Sequence, residues 1–443
     1  MNLFLYIEDH DLWRHKLPDS EAFSAGFAAS GLIQDKNYPQ TLETALSLSV
    51  SGLIEIGKKK LLEESEMIAM EMESAFEISL PPTDMRCLAV LTDNSHLRSK
   101  LGHALASASV KRGLQAIAAV AYFPVVKNLV KDDSSAKESG APRVKVSLRS
   151  IGEVSTLAVS EAYGGGGHHN ASSFLLPVTA FYDNFRVSGK PEMPLESHTN
   201  FIPTVNEKGY ATRTLDRISQ AWVEDAGAIK LDVGAAYGMA VEAALTARNS
   251  GIVVANDCSS RHLEILAASR EAMRSQQSRL RLVAGSFPSD PKLTQAIEAE
   301  SLDAILACRI LHFFDGETLR EALRTMHRWL KSGGRIYIVT ETPYLQNMKD
   351  TFLPKYEAAV QAGTEQWPGF IEDFAANDTS TNKGAKLPQS LHLLDPTVLS
   401  RELVAAGFQL CDGHPKFLDR QDFPEFLRFN GKESVGAIAT KVG

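Results

Sequence analysis

The chain has little that would tie it to an oxidising compartment, a membrane or a polyanion. Four cysteines, Cys87, Cys258, Cys308 and Cys411, stand far apart in 443 residues, with no CxxC pair and no clustered histidines. Neither a disulfide framework nor a structural metal site is expected from such spacing. Basic residues do not outnumber acidic ones: 46 Lys and Arg against 54 Asp and Glu give a formal charge of −8. That balance lacks the positive field needed for unspecific nucleic-acid or anionic-membrane binding. No apolar run reaches the roughly 18–20 residues of a membrane helix. The opening MNLFLYIEDHDLWRHK has no basic segment ahead of its short apolar run, unlike a secretory leader. The expectation is a cytoplasmic protein without membrane contact.

What is present is an ordinary globular balance, 44% hydrophobic and 23% charged residues, in a chain long enough for two or three domains. Up to about residue 187 helical and strand patterns mix. Leu42–Met72 has helical apolar spacing, Cys87–Leu91, Ile117–Phe123 and Val144–Leu148 read as short strands, and Lys131–Ala141 reads as a polar surface loop. SGKPEMPLESHTNFIP, residues 188–203, carries three prolines and little periodicity, so it is the expected linker. From residue 204 to 443 apolar strand runs at Ile229–Val233, Ile252–Asn256, Leu280–Ala284, Leu302–Ala307 and Arg335–Thr340 alternate with stretches of helical period. Alternation of that kind predicts an α/β domain whose parallel sheet is covered on both faces.

The first of these strands runs into Leu231-Asp232-Val233-Gly234-Ala235-Ala236-Tyr237-Gly238, and Asp257 closes the second. Glycines let the backbone turn sharply and approach a ligand, and an acid about twenty residues later can accept the hydroxyl hydrogens of a ribose. A glycine turn also occurs for purely steric reasons, so this pattern alone leaves the bland reading open. Nicotinamide binding would want G-x-G-x-x-G, and Met239 stands at its last position.

LDVGAAYG, VVANDCSSRHLEIL, LRLVAGSFP, LDAILACRILHFF and LREALRTMHRWLKSGGRIYIV, in this order, resemble the successive motifs of class I methyltransferases. The resemblance implies a doubly wound, Rossmann-like sheet of seven strands, with Gly407–Cys411 and Ser434–Lys441 as its closing strands, and S-adenosyl-L-methionine as cofactor. It implies that Asp232, Gly234, Ala236 and Gly238 line the methionine end and that Asp257 holds the ribose. Cys258 then flanks the adenine, Gly285, Ser286 and Phe287 contact it, and Ala307, at the end of the fourth strand, also belongs to the cofactor site. Ala236 stands where the family often has a glycine, and the usual acid near Ser286 is absent.

Methyl transfer is an in-line displacement that needs alignment and often the removal of one proton. Arg309 and His312 follow the fourth strand and are the catalytic candidates. An imidazole is suited to act as a base near neutral pH, so His312 is a candidate base, or it packs at the start of the next helix. Between the fifth strand and the helix expected at Pro396–Ala406 lies an insert of roughly fifty residues, about 342–395, longer than structureless connections usually are. Tyr344, Trp367, Phe370, Glu372 and His392 are its candidates for a lid over a small or medium-sized acceptor. A surface excursion is the alternative.

In the first half, Tyr6-Ile7-Glu8-Asp9-His10-Asp11-Leu12-Trp13, Leu148-Arg149-Ser150 and Tyr163-Gly164-Gly165-Gly166-Gly167-His168-His169 resemble the connector and C-terminal substrate-binding domain of DHH phosphoesterases. That implies a separate α/β domain in which Gly165, Gly166, Gly167 and His168 bind a phosphate-bearing or nucleotide ligand. The family's metal-binding domain has no counterpart in these motifs. The expectation is a noncatalytic first domain followed by a methyltransferase, with a phosphate-ester hydrolase or a cofactor-binding sensor as rivals.

Overall fold

The computed structural model describes residues 3–12, 14, 16–30, 49–126, 141–187, 191–197, 200–247, 251–268, 271–380 and 388–442. All of the expected loop at Lys131–Ala141 but its last residue, the start of the helix expected at Leu42, Trp13 and parts of the expected linker lie outside the described residues.

The chain opens with helices Leu3–Asp11, Ser20–Ala29 and Val50–Glu73. The second and third touch backbone to backbone, because a Cβ on Gly26 would lie 1.9 Å from the Leu53 carbonyl oxygen and one on Gly57 would lie 1.7 Å from that of Ala22. Only glycine permits so close a crossing. Asp9, from the acidic block at the start, is buried and accepts hydrogen bonds from Lys16 N, Leu17 N and Ser20 Oγ. Its charge is consumed in holding the turn between helices.

A six-stranded sheet comes next: β1 (Phe76–Ser79), β2 (Arg86–Leu91), β3 (Ile117–Tyr122), β4 (Arg143–Ser150), β5 (Gly166–His168) and β6 (Ala171–Pro177), in the order β1-β2-β3-β4-β6-β5. Only β2 and β3 run parallel, joined by the helix Arg98–Lys111. A hairpin, β7 (Phe201–Pro203) with β8 (Tyr210–Thr212), begins within the last residues of the expected linker and ends beyond it.

The second sheet contains β9 (Ile229–Val233), β10 (Ile252–Asp257), β11 (Leu280–Ala284), β12 (Leu302–Cys308) and β13 (Leu330–Glu341), all parallel. The insert carries a two-stranded ribbon, β14 (Phe370–Ile371) with β15 (Leu391–His392). β16 (Phe408–Leu410), β17 (Lys416–Leu418) and β18 (Ser434–Lys441) then close the sheet antiparallel, in the order β11-β10-β9-β12-β13-β18-β16 with β17 also on β18. Seven strands match the expectation, and β17 is an eighth. The central strands are buried nearly throughout because helices cover both faces. Helix Gly316–Trp329 shows how: Asp315 caps it through Thr318 N, and Leu319, Ala322, Leu323, Met326 and Trp329 bury one face at helical spacing.

The two sheets are not independent bodies joined by a string. One apolar cluster runs from Ile78, Ala119, Phe181 and Phe185 of the first half to Leu263, Leu266, Val253 and Leu306 of the second. Phe123–Val126 and Leu282–Ala284 line a shared crevice at the edge strand β11, so the first half shelters an edge that would otherwise offer open backbone groups.

Candidate active site

At the carboxyl ends of the second sheet's strands lies a cavity of about 680 Å3, where ligands of open α/β sheets bind. Its floor is the turn after β9. Gly234 is left-handed at φ 71°, which lets Ile310 close against it, since a Cβ there would lie 2.3 Å from Ile310 Cγ2. Ala236 is also left-handed, at φ 45°, a conformation that an L side chain takes at a cost. Arg309 and Glu207, both lining the same cavity, have φ of 61° and 56°. Backbone strain of this kind collects at binding sites, where the surroundings hold it.

Asp257 sits at the centre of one end of the cavity. Its Oδ2 accepts from Ala236 N at 2.9 Å, while Oδ1 accepts from Ser259 N and from His262 Nδ1, each at 2.9 Å. With one protein donor, Oδ2 is the freer oxygen for a ribose hydroxyl. His262 is buried and its ring meets Tyr237 edge-on. Asp232 is buried beside this pair, and burial first, then the charge of Asp257, raises its pKa well above the usual carboxylate range. Burial and Asp257 also push the Cys258 thiol up to about 11.

The roof comes from an unexpected place. Residues Thr204 to Thr212, the turn and second strand of the β7–β8 hairpin, cover the cavity. Tyr237 Oη donates to the Pro203 carbonyl at 2.7 Å, and Asn206 Nδ2 approaches Cys258 Sγ at 3.8 Å. The hairpin is thus pinned to the loops that follow β9 and β10. Of the described residues in the insert, Pro388 alone lines the cavity.

At the other end of the cavity Asp216, Ser219, Cys308 and Arg309 converge. Asp216 caps helix Arg217–Glu224 through Ile218 N and Ser219 N, and its Oδ2 accepts from Ser219 Oγ at 2.8 Å and Cys308 Sγ at 3.6 Å. Burial, then Asp216, holds the Cys308 thiol protonated by raising its pKa well above normal. The Arg309 guanidinium lies 5.0 Å from the Phe201 ring and 4.8 Å from that of Phe423. Its Nη1 is 2.6 Å from Glu341 Oε1, and His312 Nδ1 is 2.8 Å from Glu341 Oε2. Burial alone would raise the Glu341 carboxyl, but Arg309 and then His312 outweigh it and hold it at about 2.

The structure brings Asp232, Gly234, Ala236, Asp257, Cys258, Ser286, Phe287 and Arg309 to one cavity. Gly238, Gly285, Ala307 and His312 are not in its wall. Gly238 makes room for Leu266 and Met273, Gly285 for Asp290, Ala307 is fully buried, and His312 is paired with Glu341 behind Arg309.

The five lid candidates also lie elsewhere. Tyr344 packs on Tyr356 and Phe417, and Trp367 lies 4.9 Å from the Arg320 guanidinium and 5.0 Å from that of Arg401. Phe370 and Trp367 pack on His392, whose Nδ1 meets the Phe314 carbonyl at 3.0 Å, and Glu372 is exposed. Gly166–His168 form the exposed edge strand β5, and Gly165 and Gly167 let it approach β6 closely. His262, Asp216 and the hairpin were not singled out from the sequence. Among the described residues no group of three or more His, Cys, Asp or Glu is placed to hold a metal ion, and no helix is long and apolar enough to cross a membrane.

Residues 231–336 match the family described as a methyltransferase domain. That stretch of the chain carries a methyltransferase domain. The match runs from within β9 to within β13, the strands whose ends meet the cavity.

Among solved structures, the chain is similar to an SAM-dependent methyltransferase from Methanosarcina mazei, at 17% identity and TM-score 0.37, over 52% of this chain and 98% of the other. It is also similar to the Burkholderia thailandensis 1,6-didemethyltoxoflavin-N1-methyltransferase, at 16% identity and TM-score 0.33, over 51% and 79% of the two chains. An N-methyltransferase from Bradyrhizobium japonicum, in complex with S-adenosyl-L-homocysteine, shows 14% identity and TM-score 0.30 over 51% and 82%. No curated protein matches the chain in sequence.

Proposed function

We propose that the chain transfers a methyl group from S-adenosyl-L-methionine to a small acceptor enclosed under the β7–β8 hairpin. The observation that carries this reading is one cavity with two chemically different ends. The residues fit the donor: Asp257 offers Oδ2 to the ribose, Asp232 faces the methionine portion, and Phe287 with Cys258 flanks the adenine. The donor supplies an electrophilic methyl on a sulfonium. A volume of about 680 Å3 is that of a small-molecule site, not a macromolecular groove.

The chain's part is alignment and proton handling. Arg309, held from behind by Glu341 and between two rings, presents a fixed cation at the acceptor end. Asp216 is the carboxylate best placed to take a proton from the acceptor, because it lines the cavity whereas His312 is occupied with Glu341. Calorimetry with S-adenosyl-L-methionine, followed by turnover with a panel of small nucleophiles, tests the reading. Submicromolar to micromolar donor binding with turnover supports it, and no donor binding at millimolar concentration overturns it. Donor binding without turnover on any acceptor turns the reading into that of a sensor.

A second reading concerns the first half, where we propose a binding module for a phosphate-bearing ligand, of the kind found in the substrate-binding domain of DHH phosphoesterases. Arg149, Ala171 and His168 share one cross-strand row, so their side chains project from the same face of the sheet. Burial lowers the Arg149 pKa, and the nearby charge of Arg98 lowers it further. Two neighbouring guanidiniums beside an exposed imidazole suit an anion. Titration with a dinucleotide tests this reading, and binding that survives Arg149→Met sinks it.

A further inference from the structure

The helix Ser260–Ala268 starts three residues after Asp257 and carries His262, which holds the Asp257 carboxylate. Of its residues only Arg261 is exposed. Part of the cover comes from the first half of the chain. Asp93, 167 residues earlier at the end of β2, accepts from Ser260 N with both carboxylate oxygens, at 3.0 and 3.2 Å, and contacts Ser260 Oγ. A carboxylate there satisfies amides that the first turn leaves without partners and meets the positive end of the helix.

The loop that presents Asp93 is braced. Glu71 Oε1 accepts from Thr92 Oγ1 at 2.6 Å and Asn94 Nδ2 at 2.8 Å, and Asn94 N donates to Thr92 Oγ1 at 2.9 Å. On its other side Lys292, in the helix after the adenine segment, donates to the Asp93 carbonyl at 3.4 Å. Further along the enclosed helix, Arg186 Nη1 pairs with Glu264 Oε1 at 2.9 Å. Thr92–Asn94 therefore touches the two helices that come after the second and third strands, those whose ends hold ribose and adenine in the proposed reading.

We infer that Asp93 is a positioning residue of the donor site: the first half of the chain sets the geometry of Asp257 through Ser260 and His262. The inference rests on the donor reading above. A merely cohesive contact between halves would act on stability alone, as the peripheral pair of Arg274 with Asp183 is expected to do. Asp93 acts instead on the first turn of the helix that fixes the ribose carboxylate.

The test uses the full chain with Asp93→Ala, Asp93→Asn and, as the cohesive control, Asp183→Ala. Asp93→Ala is expected to weaken S-adenosyl-L-homocysteine binding about 5–10-fold, the scale of losing one helix cap. It should raise the donor KM without a matching fall in kcat, and speed amide exchange across Ser259–His262 in the ligand-free protein. Asp93→Asn should restore most of the affinity, since Asn caps as well as Asp, and Asp183→Ala should leave it unchanged. If Asp93→Ala fails to fold, Ser260→Ala takes its place, with a smaller loss expected in the same direction. Wild-type affinity and exchange in Asp93→Ala, or equal losses in Asp93→Ala and Asp183→Ala, overturn the inference while leaving the donor reading standing. A wild-type chain that ignores S-adenosyl-L-homocysteine overturns both.

Discussion

Asp257 ends β10 and His262 lies five residues on, in the next helix, with the imidazole Nδ1 2.9 Å from the carboxylate Oδ1. The acid at the end of β10 is therefore oriented from behind before any ligand arrives, which lowers the entropy cost of binding. Asp257→Ala should weaken donor affinity by about 1–3 kcal/mol, the value of charge-assisted hydrogen bonds. His262→Leu should lose a smaller share and His262→Asn, which keeps a donor near the Nδ1 position, less still. Calorimetry on the three variants reads this order, and an unchanged affinity in Asp257→Ala removes the ribose assignment.

Asp216 has two tasks that one substitution separates. Asn caps a helix as Asp does but takes no proton, so Asp216→Asn should keep the fold and donor affinity while turnover falls. General-base contributions are on the order of 10²–10⁴-fold, and a single-turnover assay at saturating donor measures the loss. Full activity in this variant would leave Asp216 as a cap alone.

Acid should destabilise the chain in two windows. Burial holds the His392 imidazole neutral, with its pKa lowered to about 4, partly offset by the Phe314 carbonyl. The unfolded chain takes up that proton first, so stability falls as pH drops from roughly 6.5 through about 4. Glu341, held at about 2 against roughly 4.3 when unfolded, contributes fully above that upper value and loses its contribution as pH falls toward 2. Denaturant midpoints of His392→Asn should lose the upper window. Glu341→Gln should lose the lower one and cost about 3–5 kcal/mol near neutrality, because Arg309 and His312 are left buried without their acid.

Trp367 serves packing. A Cβ on Gly316 would lie 2.2 Å from the Trp367 ring, so Gly316→Ala should destabilise by about 1–3 kcal/mol through overpacking. Trp367→Ala should lower the melting temperature as well. Neither is expected to move donor affinity or acceptor KM, and a shifted KM in Trp367→Ala would return the insert to the acceptor site.

The donor end was legible because its signals are local: a strand of apolar residues, a glycine turn and an acid closing the next strand all lie within residues 229–257. The roof was not, because Phe201–Thr212 has too few residues per strand for a period to show, and its position over the cavity depends on Tyr237 reaching Pro203. The insert misled for a related reason. Its aromatic residues suit a binding wall, but Leu345, Met348, Phe352, Tyr356, Ile371 and Phe374 gather into a core of their own, a tertiary outcome that composition does not separate from a lid. His262 escaped notice since one imidazole on an amphipathic helix carries no motif. Asp93 is legible only once the two halves are in contact.

Because the helix Ser260–Ala268 shows water little beyond Arg261, the halves are unlike beads on a thread. A fragment beginning near residue 204 would lose Asp93 and Arg186, the partners of Ser260 and Glu264 on that helix, and would open the apolar cluster the two halves share, so it is expected to clump, as large exposed apolar patches do. A descendant that shed its first half would first have to recolour that helix with charged side chains.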